Sequence, residues 1–254
     1  MDFLNLAKKI TIDSQFYVSL MATFLAVFFM LEQNTFRFST VILLFITYLS
    51  GYTYTKYQKA SFFTPIMIGN ILAGILCLIL ILIHHDQITL CKWLTVIILG
   101  FLYNSNFLNY YIRKIPLLKI FYVGLVWGLM NGWVIFEQFQ IQIFFITFFY
   151  ITALVLPFDI RDMKADEIIT FPNLIGIYKT KILAYLMILT SIIIALNYLA
   201  TPFSVSFLIS GFIATLFVYF SDIRREDFYY SFGVETCCGI GLIIYKILEI
   251  LKVF

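Results

Sequence analysis

The chain has 254 residues, of which 62% are hydrophobic, 19% aromatic and only 12% charged, and its formal net charge is +3. A soluble domain carries roughly 25% charged residues to cover its surface, so this composition excludes an ordinary soluble domain and makes lipid the expected solvent. The net charge identifies no partner, and no nucleic acid is expected.

Hydrophobic segments run at about 15–31, 38–55, 64–83, 92–108, 117–136, 143–160, 181–198, 203–220 and 232–250. In lipid every backbone N–H and C=O must be satisfied within its own segment, so each is expected to be a helix. The fold class that follows is all-α: a polytopic membrane protein with about nine transmembrane helices. Short connections and the lack of any linker or low-complexity tract point to one domain over 1–254. The first segment follows Lys8 and Lys9 and runs into Met30-Leu31-Glu32-Gln33 with no small-residue cleavage site, so it is expected to remain.

Orientation is read from the basic residues. Thirteen of the 17 Lys and Arg fall at the N-terminus and in the second, fourth, sixth and eighth connections; Arg37, Lys92, Lys246 and Lys252 fall on the other side. The positive-inside rule then places the N-terminus in the cytoplasm and the C-terminus outside, in an inner or cytoplasmic membrane. Cys77, Cys237 and Cys238 lie in apolar runs and Cys91 beside a loop, with no zinc or disulfide spacing among them.

The fourth connection carries Arg113, Lys114 and Pro116, and the fifth segment contains Trp127-Gly128. At the end of the sixth segment, Asp159, Asp162 and Asp166 are spaced three and then four apart. If that helix continues past the membrane surface, all three project from one face. Like charges at that spacing repel by a few tenths of a kcal/mol per pair, so the face wants a cation. Magnesium suits it, because this ion takes one or two carboxylates and completes its shell with water and phosphate oxygens. The same spacing also suits a solvated helix end whose carboxylates pair with Arg161, Lys164 and loop lysines. Two weaker signals are His84-His85-Asp86, expected to be a solvated outer connection, and the mixed-charge turn Asp222–Asp227, expected to pair within itself with little energetic weight and also able to cover a site mouth. Glu235, near the start of the ninth segment, is placed to face a cavity rather than lipid.

The stretch Asp159-Ile160-Arg161-Asp162, then Asp166, resembles the second aspartate-rich motif, D-x-x-D-x-x-x-D, of the UbiA family of intramembrane prenyltransferases, which lies at the cytoplasmic end of the sixth of nine helices. Thr170, Pro172 and Gly176 are similar to the Thr-x-Pro-x-x-x-Gly element that follows it. The stretch from Leu102-Tyr103 through Arg113-Lys114-Ile115-Pro116 to Trp127-Gly128 looks like the family's fourth connection and fifth helix. The family's first motif, N-x-x-x-D-x-x-x-D after the second helix, has no counterpart: residues 50–59 contain no Asp, Glu or Asn. Lys56 and Lys59 stand there instead.

The resemblance implies transfer of an isoprenoid chain from a prenyl diphosphate to a lipophilic acceptor. Asp162 and Asp166 would be the catalytic carboxylates and bind magnesium, with Asp159 in support. Lys56, Lys59, Arg113, Lys114, Arg161 and Lys164 would hold the diphosphate, and Tyr52, Tyr54 and Tyr57 could shield a carbocation; Lys56 and Lys59 equally suit ordinary positive-inside residues, and the three tyrosines suit interfacial anchors. The alternative is a catalytically inactive relative that binds a polyprenyl lipid or a membrane partner. A transporter is disfavoured, since the segments hold almost no ionisable residues at their centres.

Overall fold

A computed structural model describes residues 15–58, 60–103, 118–164 and 169–252. Among them are nine α-helices: α1 Phe16–Glu32, α2 Phe38–Tyr57, α3 Phe63–His84, α4 Gln87–Tyr103, α5 Leu118–Leu129, α6 Ile141–Asp162, α7 Phe171–Tyr198, α8 Thr201–Phe220 and α9 Glu235–Ile250. A π-helical turn, Met130–Val134, extends α5, and a second, Tyr229–Val234, leads into α9. No strand occurs among the described residues. Each hydrophobic segment of the sequence thus overlaps one helix over the described residues.

Five of these helices are long and apolar enough to cross a membrane: α3, α6, α7, α8 and the run Tyr229–Ile250 that contains α9. Phe16–Glu32, Gln87–Tyr103 and Leu118–Val134 are apolar but shorter. The protein is therefore an all-helical molecule of membrane character, with five helices of spanning length and composition rather than nine.

Consecutive helices pack side by side throughout, and α9 closes back on α1, so the nine form a ring. Burial is uneven around it. The most apolar 18-residue window of α6 is 56% buried, whereas that of α3 is 11% buried. Ile68, Ile71, Leu72, Ile75 and Leu82 on α3 are exposed, which in this setting means that they face lipid. The main core is built mostly from α1 and from α5 to α9. There the Tyr150 hydroxyl donates to the Cys237 carbonyl at 2.9 Å and lies 2.9 Å from Ser210 Oγ, tying α6, α9 and α8 together. A smaller core of Leu43, Cys77, Ile81 and Trp93 joins α2, α3 and α4, and Trp93 Nε1 donates to Thr47 Oγ1 at 2.9 Å.

Two sequence features set the position of α6. Gly124, Gly128 and Gly132 recur every four residues on α5 and its π-helical turn, the small-xxx-small spacing that lets membrane helices approach closely. A Cβ at Gly128 would lie 2.9 Å from the Phe144 ring, and one at Gly132 would lie 2.8 Å from the Phe144 backbone nitrogen. At the other end of the π-helical turn, buried Lys92 donates to the carbonyls of Phe136 (2.7 Å) and Glu137 (2.9 Å). This lysine closes a helix end rather than marking a membrane face.

One expectation needs correction. The seventh helix begins at Phe171 rather than 181: Pro172 stands in its first turn and the Thr170 carbonyl accepts from the Asn173 and Leu174 N–H groups, and the helix breaks at Gly176 (φ +82°) before continuing. Lys179 and Lys181 therefore lie within α7. The sixth helix runs to Asp162, with Met163 and Lys164 in a turn. Residues Lys59, Arg113, Lys114 and Asp166 lie outside the described residues.

Candidate functional site

The last turns of α2 and α6, the turn before α9 and the first turn of α9 meet at one end of the ring. They surround a cavity of about 710 Å³. The charged part of its wall is Lys56 from α2, Arg161 and Asp162 from α6, Asp227, and Glu235 from α9. Its apolar part includes Tyr52, Trp127, Leu154, Val155 and Phe158. A second, largely apolar cavity of about 490 Å³ lies between α2, α3, α4 and α5, and the two have Tyr52, Val123 and Trp127 in common. A polar chamber and an apolar chamber thus adjoin at an aromatic threshold, where the Tyr52 and Trp127 rings meet edge-on, 6.4 Å apart.

Arg161 organises the polar chamber. Its Nε donates to Asp162 Oδ1 at 2.7 Å and its Nη2 to Asp162 Oδ2 at 2.9 Å, a fork that fits a carboxylate or a phosphate equally well. Its Nη1 lies 3.8 Å from Asp227. The guanidinium sits over the rings of Phe158 (5.2 Å) and Tyr230 (5.5 Å), so the cation is held in a defined plane. Lys56 adds a second cation to the same wall.

Asp159 and Asp162 differ in their surroundings although they are one turn apart. Asp159 is buried, with 1% exposure, and pairs with Lys119 of α5 at 3.3 Å. It does not line the cavity. Lys164 is exposed in the turn after α6, also off the cavity wall. Of the three tyrosines, Tyr52 reaches the charged chamber, Tyr54 lines only the apolar one, and Tyr57 packs on Phe62. Asp227 and Glu235, on the last two elements of the chain, complete the wall. The sequence alone does not link Trp127 and Phe158 to the site, because their relevance arises from the docking of α5 on α6.

Among the described residues no group of three His, Cys, Asp or Glu side chains could hold a metal ion. Asp86 of the outer connection has another use. It caps α4, accepting from the Thr89 backbone N–H at 2.8 Å and from the Thr89 hydroxyl at 2.5 Å. Its neighbour His85 lies 3.4 Å from Ser39 Oγ through Nε2.

No family model, curated protein or solved structure matches this chain.

Proposed function

We propose that the chain is a divergent, UbiA-like membrane prenyltransferase that moves an isoprenoid chain from its diphosphate to a lipophilic acceptor. The observation that carries this reading is the junction of the two chambers: cations Lys56 and Arg161 on one side of Tyr52 and Trp127, an apolar space on the other. An amphiphile with an anionic head and a hydrocarbon tail fits both halves at once. In the reaction the allylic C–O bond breaks and its electron pair leaves with the diphosphate. The acceptor's nucleophilic atom then bonds to the freed carbon and loses its proton. Lys56 and Arg161 would stabilise the negative charge that grows on the leaving group, and the faces of Tyr52, Trp127 and Phe158 would surround the allylic cation. Lys59, Arg113 and Lys114 belong to this proposal as further diphosphate contacts.

Magnesium belongs to it with a reduced ligand set. The ion needs only one or two carboxylates beside phosphate oxygens. Asp162 lines the cavity and would be released as Arg161 turns to the diphosphate, and Asp166 would be the second. When bound, the ion would neutralise charge on the leaving group. Asp159, occupied by Lys119, would position α6 rather than hold the ion.

The same proposal has nine membrane crossings, an N-terminus in the cytoplasm and a C-terminus outside. The positive-inside count and the meeting of the C-terminal ends of α2 and α6 with the start of α9 around one cavity support it.

A second reading, a non-catalytic protein that binds a polyprenyl lipid, is favoured by one observation: Arg161 already engages both oxygens of Asp162. Incubation of purified protein with labelled prenyl diphosphates and a lipid extract, with and without magnesium, separates the two. Magnesium-dependent transfer of label supports the enzyme, and tight binding without transfer supports the lipid-binding protein.

A further inference from the structure

The glycines of the bundle divide into two kinds. Gly124, Gly128 and Gly132 are needed where α5 docks on α6, because a Cβ at any of them would collide with a neighbour. Gly51 on α2, Gly74 on α3 and Gly100 on α4 have no such role. A Cβ built on any of these three would meet no atom of the described residues within 4 Å. Backbone shape does not require them either, since among the described residues the glycine with a positive φ is Gly176. Glycine in a helix interior loses more backbone freedom on folding than any other residue, so each of the three weakens its helix with no gain in packing. What they share is position: all three line the apolar chamber between α2, α3, α4 and α5.

Contacts between the helices give the depth of each. The chamber is lined along α3 from Met67 to Cys77 and along α4 from Tyr103 to Trp93, about 15 Å of each helix. Its mouth is the threshold at Tyr52 and Trp127, which it shares with the polar chamber. Its floor is formed by Trp93, Thr47 and Cys77: Trp93 Nε1 donates to Thr47 Oγ1 at 2.9 Å, and Cys77 Sγ lies 4.0 Å from the same oxygen. Gly51 directly precedes Tyr52 and stands at the mouth. Gly100 is near it, because the neighbouring Phe101 packs edge-on against Tyr54 with ring centroids 5.1 Å apart. Gly74 is deeper. Asn70, one turn before it, donates to the Ser50 carbonyl at 3.3 Å near the mouth, while Cys77, just after it, belongs to the floor. The wall's polar groups are engaged with one another, Asn70 with Ser50 and Thr53 and Thr47 with Trp93, so the chamber offers a ligand mainly apolar surface.

We infer that Gly74 and Gly100 are specificity-determining residues: by withholding side chains from the wall, they set how much hydrocarbon tail the apolar chamber admits behind a diphosphate held by Lys56 and Arg161. This rests on the prenyl diphosphate reading given above. A side chain added at either position fills the chamber without displacing a helix, so the ligand is affected and the fold is not. The deeper position excludes only tails long enough to reach it, and the one near the mouth excludes shorter tails as well.

The test uses the full chain in detergent, with dimethylallyl, geranyl, farnesyl and geranylgeranyl diphosphates as probes in magnesium-free buffer without acceptor. Titration calorimetry gives a Kd for each probe, and the ratio of variant to wild type cancels the partition of that probe into detergent. Gly74→Leu is expected to leave the Kd of dimethylallyl and geranyl diphosphates within about twofold of wild type and to raise that of geranylgeranyl diphosphate at least about tenfold. Gly100→Leu is expected to begin the loss at a shorter chain. Gly69→Leu, at an open position that lines neither cavity, is expected to change none of them. Should the leucine variants fail to fold, the Gly74→Ala, Gly100→Ala double variant, which helix propensity favours, is expected to melt no lower than wild type and still to lower the preference for geranylgeranyl over dimethylallyl diphosphate. Equal losses at every chain length, or no losses, would overturn the inference and leave the prenyl diphosphate site standing. No binding of any of these probes to wild type would overturn that reading itself.

Discussion

Arg161 grips the carboxylate of its chain neighbour Asp162 with two hydrogen bonds of 2.7 and 2.9 Å. Adjacent residues on a helix point about 100° apart, so the guanidinium must fold back to make this fork. It does so at the mouth of a cavity, over the rings of Phe158 and Tyr230. The pair is a closed donor set that a second bidentate anion can open. Arg161→Lys keeps the charge but loses the fork. Diphosphate affinity, measured by titration calorimetry, is expected to fall about tenfold in Arg161→Lys and further in Arg161→Ala.

The approach of α5 to α6 rests on glycines. Gly128→Leu puts a branched side chain where a single Cβ already meets the Phe144 ring at 2.9 Å. Overpacking of this kind costs about 1–3 kcal/mol or more. A clear drop in melting temperature in detergent is expected, together with loss of the cavity wall that α5 supplies through Val123 and Trp127. Gly51→Ala, where a Cβ meets nothing, is expected to leave the melting temperature almost unchanged.

Lys92 reaches two backbone carbonyls from a buried position. Lys92→Met fills similar space but leaves the Phe136 and Glu137 carbonyls without that donor. The expected loss is about 1–3 kcal/mol, the cost of leaving the buried Phe136 acceptor unsatisfied. Thermal melts read it directly, and the orientation of the chain in the membrane is expected to stay the same.

The α4 cap carries a pH signature. The hydrogen bond from the Thr89 hydroxyl, and then that from its backbone N–H, hold the Asp86 carboxyl below the usual carboxylate range. A carboxyl whose folded value is depressed contributes stability above its unfolded value, near 3.9, and loses it as pH falls through the folded value. Asp86→Ala is therefore expected to be less stable than wild type at neutral pH. Asp86 is exposed, so the deficit is modest, under about 1 kcal/mol. The deficit is expected to vanish once the pH drops below the carboxylate range, as equilibrium unfolding at both pH values would show.

The helices were legible in the sequence to within a few residues because hydrophobic runs of spanning length are constrained by the bilayer itself. The start of α7 was not. Its first turns are separated from the long apolar run by the break at Gly176 and by Lys179, Thr180 and Lys181, so no continuous apolar run announced it. Lys56, Arg161 and Asp162 could be named from charge and spacing, and they do meet in one cavity. Asp159 has the same spacing credentials as Asp162, yet its partner is Lys119, set by how α5 docks on α6. That docking follows from Gly124, Gly128 and Gly132, whose four-residue repeat was visible but whose contact face was not. Trp127 and Phe158 enter the site through the same packing, which no local pattern encodes.

Topology offers an independent check on the nine proposed crossings. A reporter active only in the cytoplasm is expected to work when fused after Lys164 and to fail when fused after Phe254. Activity at both positions would require an even number of crossings between Lys164 and Phe254 in place of the three proposed.

In the proposed reaction Lys56 and Arg161 drive departure of a diphosphate from a chain held beyond Tyr52 and Trp127. The most direct measurement is transfer of a labelled prenyl group from its diphosphate into lipid extract by purified wild type and by the Lys56→Ala, Arg161→Ala double variant. Wild type is expected to transfer label in a magnesium-dependent manner. The double variant is expected to be at least about a hundredfold slower, roughly 2.7 kcal/mol of lost transition-state stabilisation. Undiminished transfer by the double variant, or no transfer by wild type with a prenyl diphosphate of any chain length, would contradict the account.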